Sequence, residues 1–332
     1  MISIHDQQIN DYIYRFPERF EIDPIKNIKV ETLPQGVWNF NYLVTVNHQE
    51  KLVFKLYPDS KESMIGNSGL MEFLCLQAFI FMQIAPIPLF FDDSCIHFQY
   101  PCLVYKYVIG ETLNINEETL IKTARLFAKL HSFNPSSLKS IKKRNDFKDE
   151  LINKIEKMLH YYGGLKNTNI NEFKVFSNFI NQVKYKLKNA PNYNYKESLL
   201  HADPVPGNFI MNQEKVVLID WQTPMLSDPA FDICLFLSEP FQLWDLDSQI
   251  TKVQKQIFLN EYIQITQDRE IEKRMNQKKP LYLLEFGLHC LIRYSDYLEN
   301  KVNQEIAEGR KLNFEKYNTS KNIVVDILQN IL

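Results

Sequence analysis

One segment restricts this chain more than any other: His201-Ala-Asp203-Pro-Val-Pro-Gly207-Asn208, then two short apolar runs ending at Asp220-Trp221. Phe209-Ile-Met211 and Val216-Val-Leu-Ile219 are β-prone, and Asn212-Gln-Glu-Lys215 between them is a polar turn. Paired as an antiparallel hairpin centred near Glu214, these runs set residue 209 opposite 219 and Asn208 opposite Asp220. Directly opposed residues in such a ladder lie ~4.5–5.5 Å apart. An amide oxygen and a carboxylate at that separation can share one hard cation. Mg²⁺ takes such oxygen ligands and keeps phosphate and water in its other positions. Asp203 precedes the hairpin, in a loop that Pro204, Pro206 and Gly207 keep out of helix.

The spacing His-x-Asp-x-x-x-x-Asn, with an aspartate at the following strand end, is a pattern of kinase-like phosphotransferases. The run Leu218-Ile-Asp220-Trp-Gln222, continued by Asp228-Pro-Ala-Phe-Asp232, resembles the aminoglycoside phosphotransferase/choline kinase family. Trp221-Gln222 stands where a protein kinase carries Phe-Gly. The resemblance spans roughly residues 28–240.

The resemblance implies an α+β, two-lobed, protein-kinase-like fold. A small β-rich N-terminal lobe is expected over residues 1–107 and a larger helical lobe over 108–332. It implies ATP and Mg²⁺ as cofactors and a small-molecule acceptor. Asp203 becomes the catalytic base, and Asn208 and Asp220 the metal ligands. Lys55 becomes the lysine on the α/β-phosphates, with Glu72 as its helix partner and Glu62 in reserve. The turn carrying Gly36 would cover the phosphates. Adenine would bond the backbone near Tyr105 and Tyr107. Asp232 would brace the catalytic loop, with His201 in support.

The residues bear independently on parts of this. Lys55 stands in an apolar strand, Leu52-Val-Phe-Lys-Leu56, where an unpaired charge is costly. It needs solvent, an anion or a carboxylate. Glycine is scarce, nine in all, and no Gly-x-x-x-x-Gly-Lys-Ser/Thr or Gly-x-Gly-x-x-Gly is present. P-loop and dinucleotide-binding readings are therefore disfavoured.

Patterning predicts a short helix over 6–20, strands across 28–57, and further strands at Ile96–Gln99 and from Pro101 to Glu111. Asn116 caps a helix whose apolar stripe runs through Leu120, Ala124 and Phe127 to His131, which marks His131 as a core histidine. Lys139–Lys148 reads as a solvated basic face, and Gly163-Gly164 as a break. Asp228-Pro229 opens a helix running to Leu237. Helices are expected over Leu246–Thr266, Leu281–Glu299 and Phe314–Leu332.

Composition removes other classes. Net charge is −2, with 38 basic and 40 acidic residues, so there is no electrostatic footprint for nucleic acid or anionic lipid. Five irregularly spaced cysteines without a Cys-x-x-Cys pair fit reduced thiols. The N-terminus lacks the basic and apolar regions of a signal peptide, and a cytoplasmic protein is expected. The longest apolar run, Phe73–Phe91, is interrupted by Gln77, Gln83, Pro86 and Pro88. It reads as a buried helix and an extended connection rather than a membrane span.

The acceptor is open at this level. A choline- or ethanolamine-like amino alcohol would want an aromatic box, for which Trp221, Phe241, Trp244 and Tyr294 are available. An aminoglycoside would want an acidic pocket, for which Glu239, Asp245, Asp247, Glu285 and Asp296 are available. The first is preferred, the second is the alternative, and a non-catalytic nucleotide-binding module is a third reading.

Overall fold

Strand alternation builds the first layer. β1 (Ile28–Thr32), β2 (Phe40–Val46), β3 (Glu50–Leu56), β4 (Pro88–Asp92) and β5 (Cys102–Lys106) form an antiparallel sheet in the order β1-β2-β3-β5-β4. A computed structural model describes residues 4–22, 24–33, 39–58, 68–138, 141–212, 215–243, 249–299 and 311–332. The turn carrying Gly36, and Glu62, lie outside the described residues.

Successive strand side chains point to opposite faces. On β3, Leu52, Phe54 and Leu56 pack with Ile9, Tyr12 and Ile13 of α1 (Ile4–Arg15) and with Phe20, forming a core behind the sheet. Val53 and Tyr57 point the other way, into a core shared with Cys75, Leu76 and Phe79 near α2 (Ser68–Ala78) and with the helical region. Lys55 shares their parity. It therefore lies on the inner face of a central strand, and it is 3% exposed.

Residues Ile96–Gln99 are not a strand. The outer partner of β5 is β4, within the stretch read as an extended connection. Pro88 lacks an N–H, which suits an edge strand, and β4 is the edge. Phe98 is buried behind the sheet, so this apolar residue serves packing rather than pairing.

The chain then enters the helical region. β6 (Glu111–Thr112) pairs with β9 (Phe209–Met211), which pairs with β10 (Val216–Leu218). Gly110 is required here, because a Cβ on it would come within 2.4 Å of the Met211 carbonyl oxygen. α3 (Glu117–His131) begins with a reciprocal capping box between Asn116 and Thr119. His131 is buried, with Nδ1 2.9 Å from the Tyr262 hydroxyl. A second small sheet joins β7 (Lys142–Lys143), β11 (Met225–Ser227) and β8 (Ser198–Leu200). α4 (Lys148–Gly163) and α5 (Ile170–Leu187) follow β7. α6 (Ala230–Phe236), α7 (Glu239–Gln242), α8 (Lys252–Thr266), α9 (Ile271–Leu298) and α10 (Lys311–Ile331) complete the described chain.

Three readings of this region are corrected. Lys139–Lys148 is not a uniformly solvated face: the Arg144 side chain is buried, paired with Asp146 at 2.5 Å and with both oxygens of Glu285 at 2.9 and 2.7 Å. α8 starts at Lys252, behind a capping box of Thr251 and Gln254, rather than at Leu246. α9 starts at Ile271 and runs through Pro280, ten residues before the expected Leu281. Its early turns carry Arg274 and Lys278 onto buried Asp228, at 2.9 and 2.7 Å. Those ion pairs hold helix that proline would otherwise interrupt. Among the described residues, no helix is long and apolar enough to cross a membrane.

Candidate active site

β8 delivers the chain to His201, and the loop after it is folded by its own polar atoms. His201 Nε2 donates to the Ile219 carbonyl at 3.0 Å, and the Asp203 N–H donates to His201 Nδ1 at 3.3 Å. Those two contacts require a neutral imidazole protonated at Nε2, and burial pushes its pKa down, consistent with that. Asn208 ends a short 3₁₀ turn, Pro206–Asn208, and its Nδ2 donates to the Asp203 carbonyl at 2.9 Å. Asp203 itself is half-buried.

Ala202 has φ 69°, in the left-handed region that non-glycine residues rarely adopt. Such a residue costs of order 1–3 kcal/mol and persists where its surroundings over-determine it. Here the determinant is Asp232, fully buried on α6. Its Oδ2 accepts from the His201 N–H at 2.7 Å and its Oδ1 from the Ala202 N–H at 2.8 Å.

The hairpin register differs by one residue from the sequence reading. Leu218 faces Phe209 and Val216 faces Met211. Asn212 N–H donates to the Lys215 carbonyl at 3.0 Å, and Lys215 N–H donates to Asn212 Oδ1 at 2.9 Å. The turn is thus closed by residues 212 and 215 rather than centred on Glu214. Asn208 therefore faces Ile219, whose N–H donates to the Asn208 carbonyl at 2.9 Å. Asp220 falls one residue beyond the ladder and turns at φ 68°.

That turn brings Asp220 to the sheet. Lys55 Nζ lies 2.5 Å from Asp220 Oδ1, and 3.1 and 2.8 Å from the two oxygens of Glu72. Glu72 is 1% exposed and also accepts from the Tyr57 hydroxyl at 2.8 Å. Burial alone would lower the Lys55 pKa. Asp220, then Glu72, outweigh it, and the net direction is up. Burial also pushes Glu72 up, against Lys55. For Asp220 burial works upward, but Lys55 outweighs it and the net direction is down. Lys55 is thus a fixed cation and Asp220 a fixed anion.

Lys55, Glu72 and Asp220 form one cluster, and His201, Asp203, Asn208 and Asp232 form a second. The Ile219 peptide joins them. Tyr105 is buried on the inner face of β5, close enough to Lys55, Glu72 and Asp220 for their charges to act on it. The Tyr107 N–H is engaged by the Lys51 carbonyl at 2.9 Å, and the Lys106 N–H by the Ile87 carbonyl at 2.9 Å. Two contacts escaped the sequence reading. Tyr57 was findable, since it lies two residues from Lys55 on the same strand face. Gln222, whose amide donates to Asp220 Oδ1, left no signal.

Among the described residues no group of three or more His, Cys, Asp or Glu is set to hold a metal. The oxygens of Asn208 and Asp220 are a pair of hard donors. A pair suits Mg²⁺, which is bound through one or two protein oxygens plus phosphate and water.

The acceptor candidates are redistributed. Trp221 is fully buried, its Nε1 donating to the Leu218 carbonyl at 2.7 Å and its ring 4.6 Å from that of His201. Phe241 is buried against Phe286. Neither is offered to a ligand, while Tyr294 is half-buried. Glu285 is held by Arg144 and by Lys154 at 2.5 Å, and Glu239 accepts from Gln249 at 2.5 Å. Asp296 lies 3.8 Å from Arg293. Trp244, Asp245 and Asp247 lie outside the described residues.

A β-rich lobe holding a buried Lys–Glu pair, set against a helical lobe holding the catalytic-type loop, defines a kinase-like phosphotransferase. The model of the phosphotransferase enzyme family matches residues 29–270, and the chain belongs to that family. It is a small-molecule kinase that uses a hydroxyl acceptor. An ethanolamine kinase of Plasmodium vivax is similar in fold, with TM-score 0.68 and 17% identity over 99% of this chain and 91% of that one. A spectinomycin phosphotransferase in complex with ADP and spectinomycin aligns with TM-score 0.64 and 18% identity, over 97% of each chain. A choline kinase of Cryptosporidium parvum Iowa II aligns with TM-score 0.62 and 16% identity, over 98% of each chain. No curated protein matches the chain in sequence.

Proposed function

We propose that this chain transfers the γ-phosphate of ATP to the hydroxyl of a small amino alcohol of the choline or ethanolamine type. The observation that carries the phosphotransfer chemistry is the Lys55–Asp220 contact, which sets a fixed cation and a fixed anion at one point between the sheet and the catalytic loop. Nucleotide would lie between the lobes, which we divide at residues 107 and 108, under the turn that carries Gly36 and against the backbone near Tyr105 and Tyr107.

Mg²⁺, held by Asn208 and Asp220, would supply charge neutralisation on the phosphates. Lys55 adds a second positive charge, and Glu72 and Tyr57 keep it aimed. Asp203 orients the acceptor hydroxyl and accepts its proton. His201 and Asp232 hold the Asp203 loop in its left-handed turn. Positioning and charge stabilisation account for most of the rate in this class of reaction.

For the acceptor, one observation favours an amino alcohol over an aminoglycoside. Three of the acids that an aminoglycoside pocket would use, Glu239, Glu285 and Asp296, have polar or basic neighbours within the protein.

The test is ADP release by purified protein with Mg²⁺ and ATP, against choline, ethanolamine and a panel of aminoglycosides, with Asp203→Asn as control. Release that depends on an amino alcohol and falls ~10²–10⁴-fold in the control supports the reading. Release with an aminoglycoside alone replaces the acceptor, and undiminished turnover in the control removes Asp203 from the base role.

A further inference from the structure

Asp220 carries its two bonds on one oxygen. Lys55 Nζ and Gln222 Nε2 both donate to Oδ1, and among the described residues nothing donates to Oδ2. The carboxylate is about one-third exposed, at 34%, so its second oxygen has room for a ligand. Lys55 cannot easily withdraw, because the same ammonium bridges both oxygens of buried Glu72. Gln222 is similarly placed by its neighbour. The Trp221 ring between it and Asp220 is fully buried and bonded to the Leu218 carbonyl, which fixes the backbone from which the amide reaches back.

We propose that Gln222 is a positioning residue for Asp220: with Lys55 it pins Oδ1, so that Oδ2 is the one oxygen offered to the divalent cation of a bound nucleotide. The inference rests on the Mg-nucleotide reading above and adds a residue to it. The physical reason is general. A carboxylate left to rotate loses orientational entropy when it binds a metal, and one held by outer hydrogen bonds has lost it already. Loss of such a partner typically lowers metal affinity about 10–100-fold. A glutamine suits the task because its amide donates without adding charge, so Asp220 remains a net anion beside one cation.

Two variants separate this role from direct ligation. Gln222→Met keeps the volume and removes the donor. Gln222→Glu keeps the shape, removes the donor and adds a charge that repels Asp220, and it gains as a metal ligand only if residue 222 itself reaches the cation. The measurement is calorimetric titration of ADP into each protein, once with Mg²⁺ and once with EDTA. Metal-free ADP affinity serves as the check on folding. Both variants are expected to lose about tenfold or more in affinity for Mg-ADP while metal-free ADP binds as in the parent. Unchanged Mg-ADP affinity in Gln222→Met would overturn the proposal. So would Gln222→Glu binding as tightly as the parent or tighter, since Gln222 would then act as a ligand. If the parent binds ADP equally well with and without Mg²⁺, the metal reading itself fails, a pattern distinct from the other two.

Discussion

Lys55 Nζ and Asp220 Oδ1 lie 2.5 Å apart although 165 positions separate them in the chain. Lys55 belongs to the central strand of the five-stranded sheet, Asp220 to a left-handed turn after the hairpin of the helical region. Their contact is a bolt between the two parts of the molecule. It makes every substitution at the site a test of both stability and chemistry, which must be separated.

Lys55→Met strands Glu72, which is 1% exposed, without its cation. Breaking one side of a buried pair costs about 3–5 kcal/mol. Thermal unfolding should therefore shift strongly downward in Lys55→Met and recover in the double variant Lys55→Met/Glu72→Gln. ADP release should recover in neither. Recovery of turnover in the double variant would remove Lys55 from the phosphate-binding role.

Asp220→Asn should leave the fold intact at ordinary temperature and abolish the gain in nucleotide affinity that Mg²⁺ confers. Equilibrium titration of ADP with and without the metal reads this directly. An unchanged gain would exclude Asp220 as a ligand.

Asp232→Asn replaces one of two acceptor oxygens facing the His201 and Ala202 N–H groups with an NH₂ donor. A buried N–H left without its acceptor costs about 1–3 kcal/mol. The left-handed Ala202 loses a restraint at the same time. The expected result is a lowered melting temperature together with lowered kcat at saturating substrate. A fall in stability with unchanged kcat would show that the loop holds its shape without this brace.

Asp228→Asn acts at the start of α6, outside the two side-chain clusters of the site. The carboxylate is fully buried and takes both Arg274, at 2.9 Å, and Lys278, at 2.7 Å. Arg274 retains Asp268 at 2.6 Å, whereas Lys278 keeps only the face of the Tyr195 ring, 4.7 Å away, among the contacts described. A loss of about 3–5 kcal/mol is expected, seen as a shift in the urea midpoint, with KM for nucleotide little changed.

His289 sets an acid limit. Burial first, then Arg293 and Lys154, push its imidazole down to about 4, with Glu285 opposing. The unfolded chain takes up that proton near pH 6.5, so it binds more protons than the folded one between about 6.5 and 4. Stability contributed by the neutral form is complete above that window and is lost as pH falls through it. His289→Gln should reduce the slope of unfolding free energy against pH there by up to about 1.4 kcal/mol per unit. An unchanged slope would mean that another group carries the dependence.

Much of this architecture is present in local pattern. The apolar run Leu52–Leu56 marked a strand in which Lys55 needed a partner, and spacing and prolines marked the His201–Asn208 loop. Asn116 and Asp228 announced helix starts through side-chain oxygens that bond the first free N–H groups, and Asp228 Oδ1 accepts from the Ala230 N–H at 3.0 Å. These features depend on neighbours within a few residues, and a linear sequence records such neighbours. What only the tertiary structure decided depends on distant ones. The hairpin register is the exception, a local matter: Asn212 and Lys215 close the turn, so its centre falls between residues 213 and 214 rather than on Glu214. Arg144 was drawn inside by Glu285 of α9, and α9 was carried through Pro280 by Asp228, which stands between β11 and α6; both carboxylates are remote in sequence from the cations they hold. Trp221 stands one residue from Asp220, yet the ring fills the core while the carboxylate meets Lys55. A turn at φ 68° parts them, and its geometry is held by groups that no local pattern brings together.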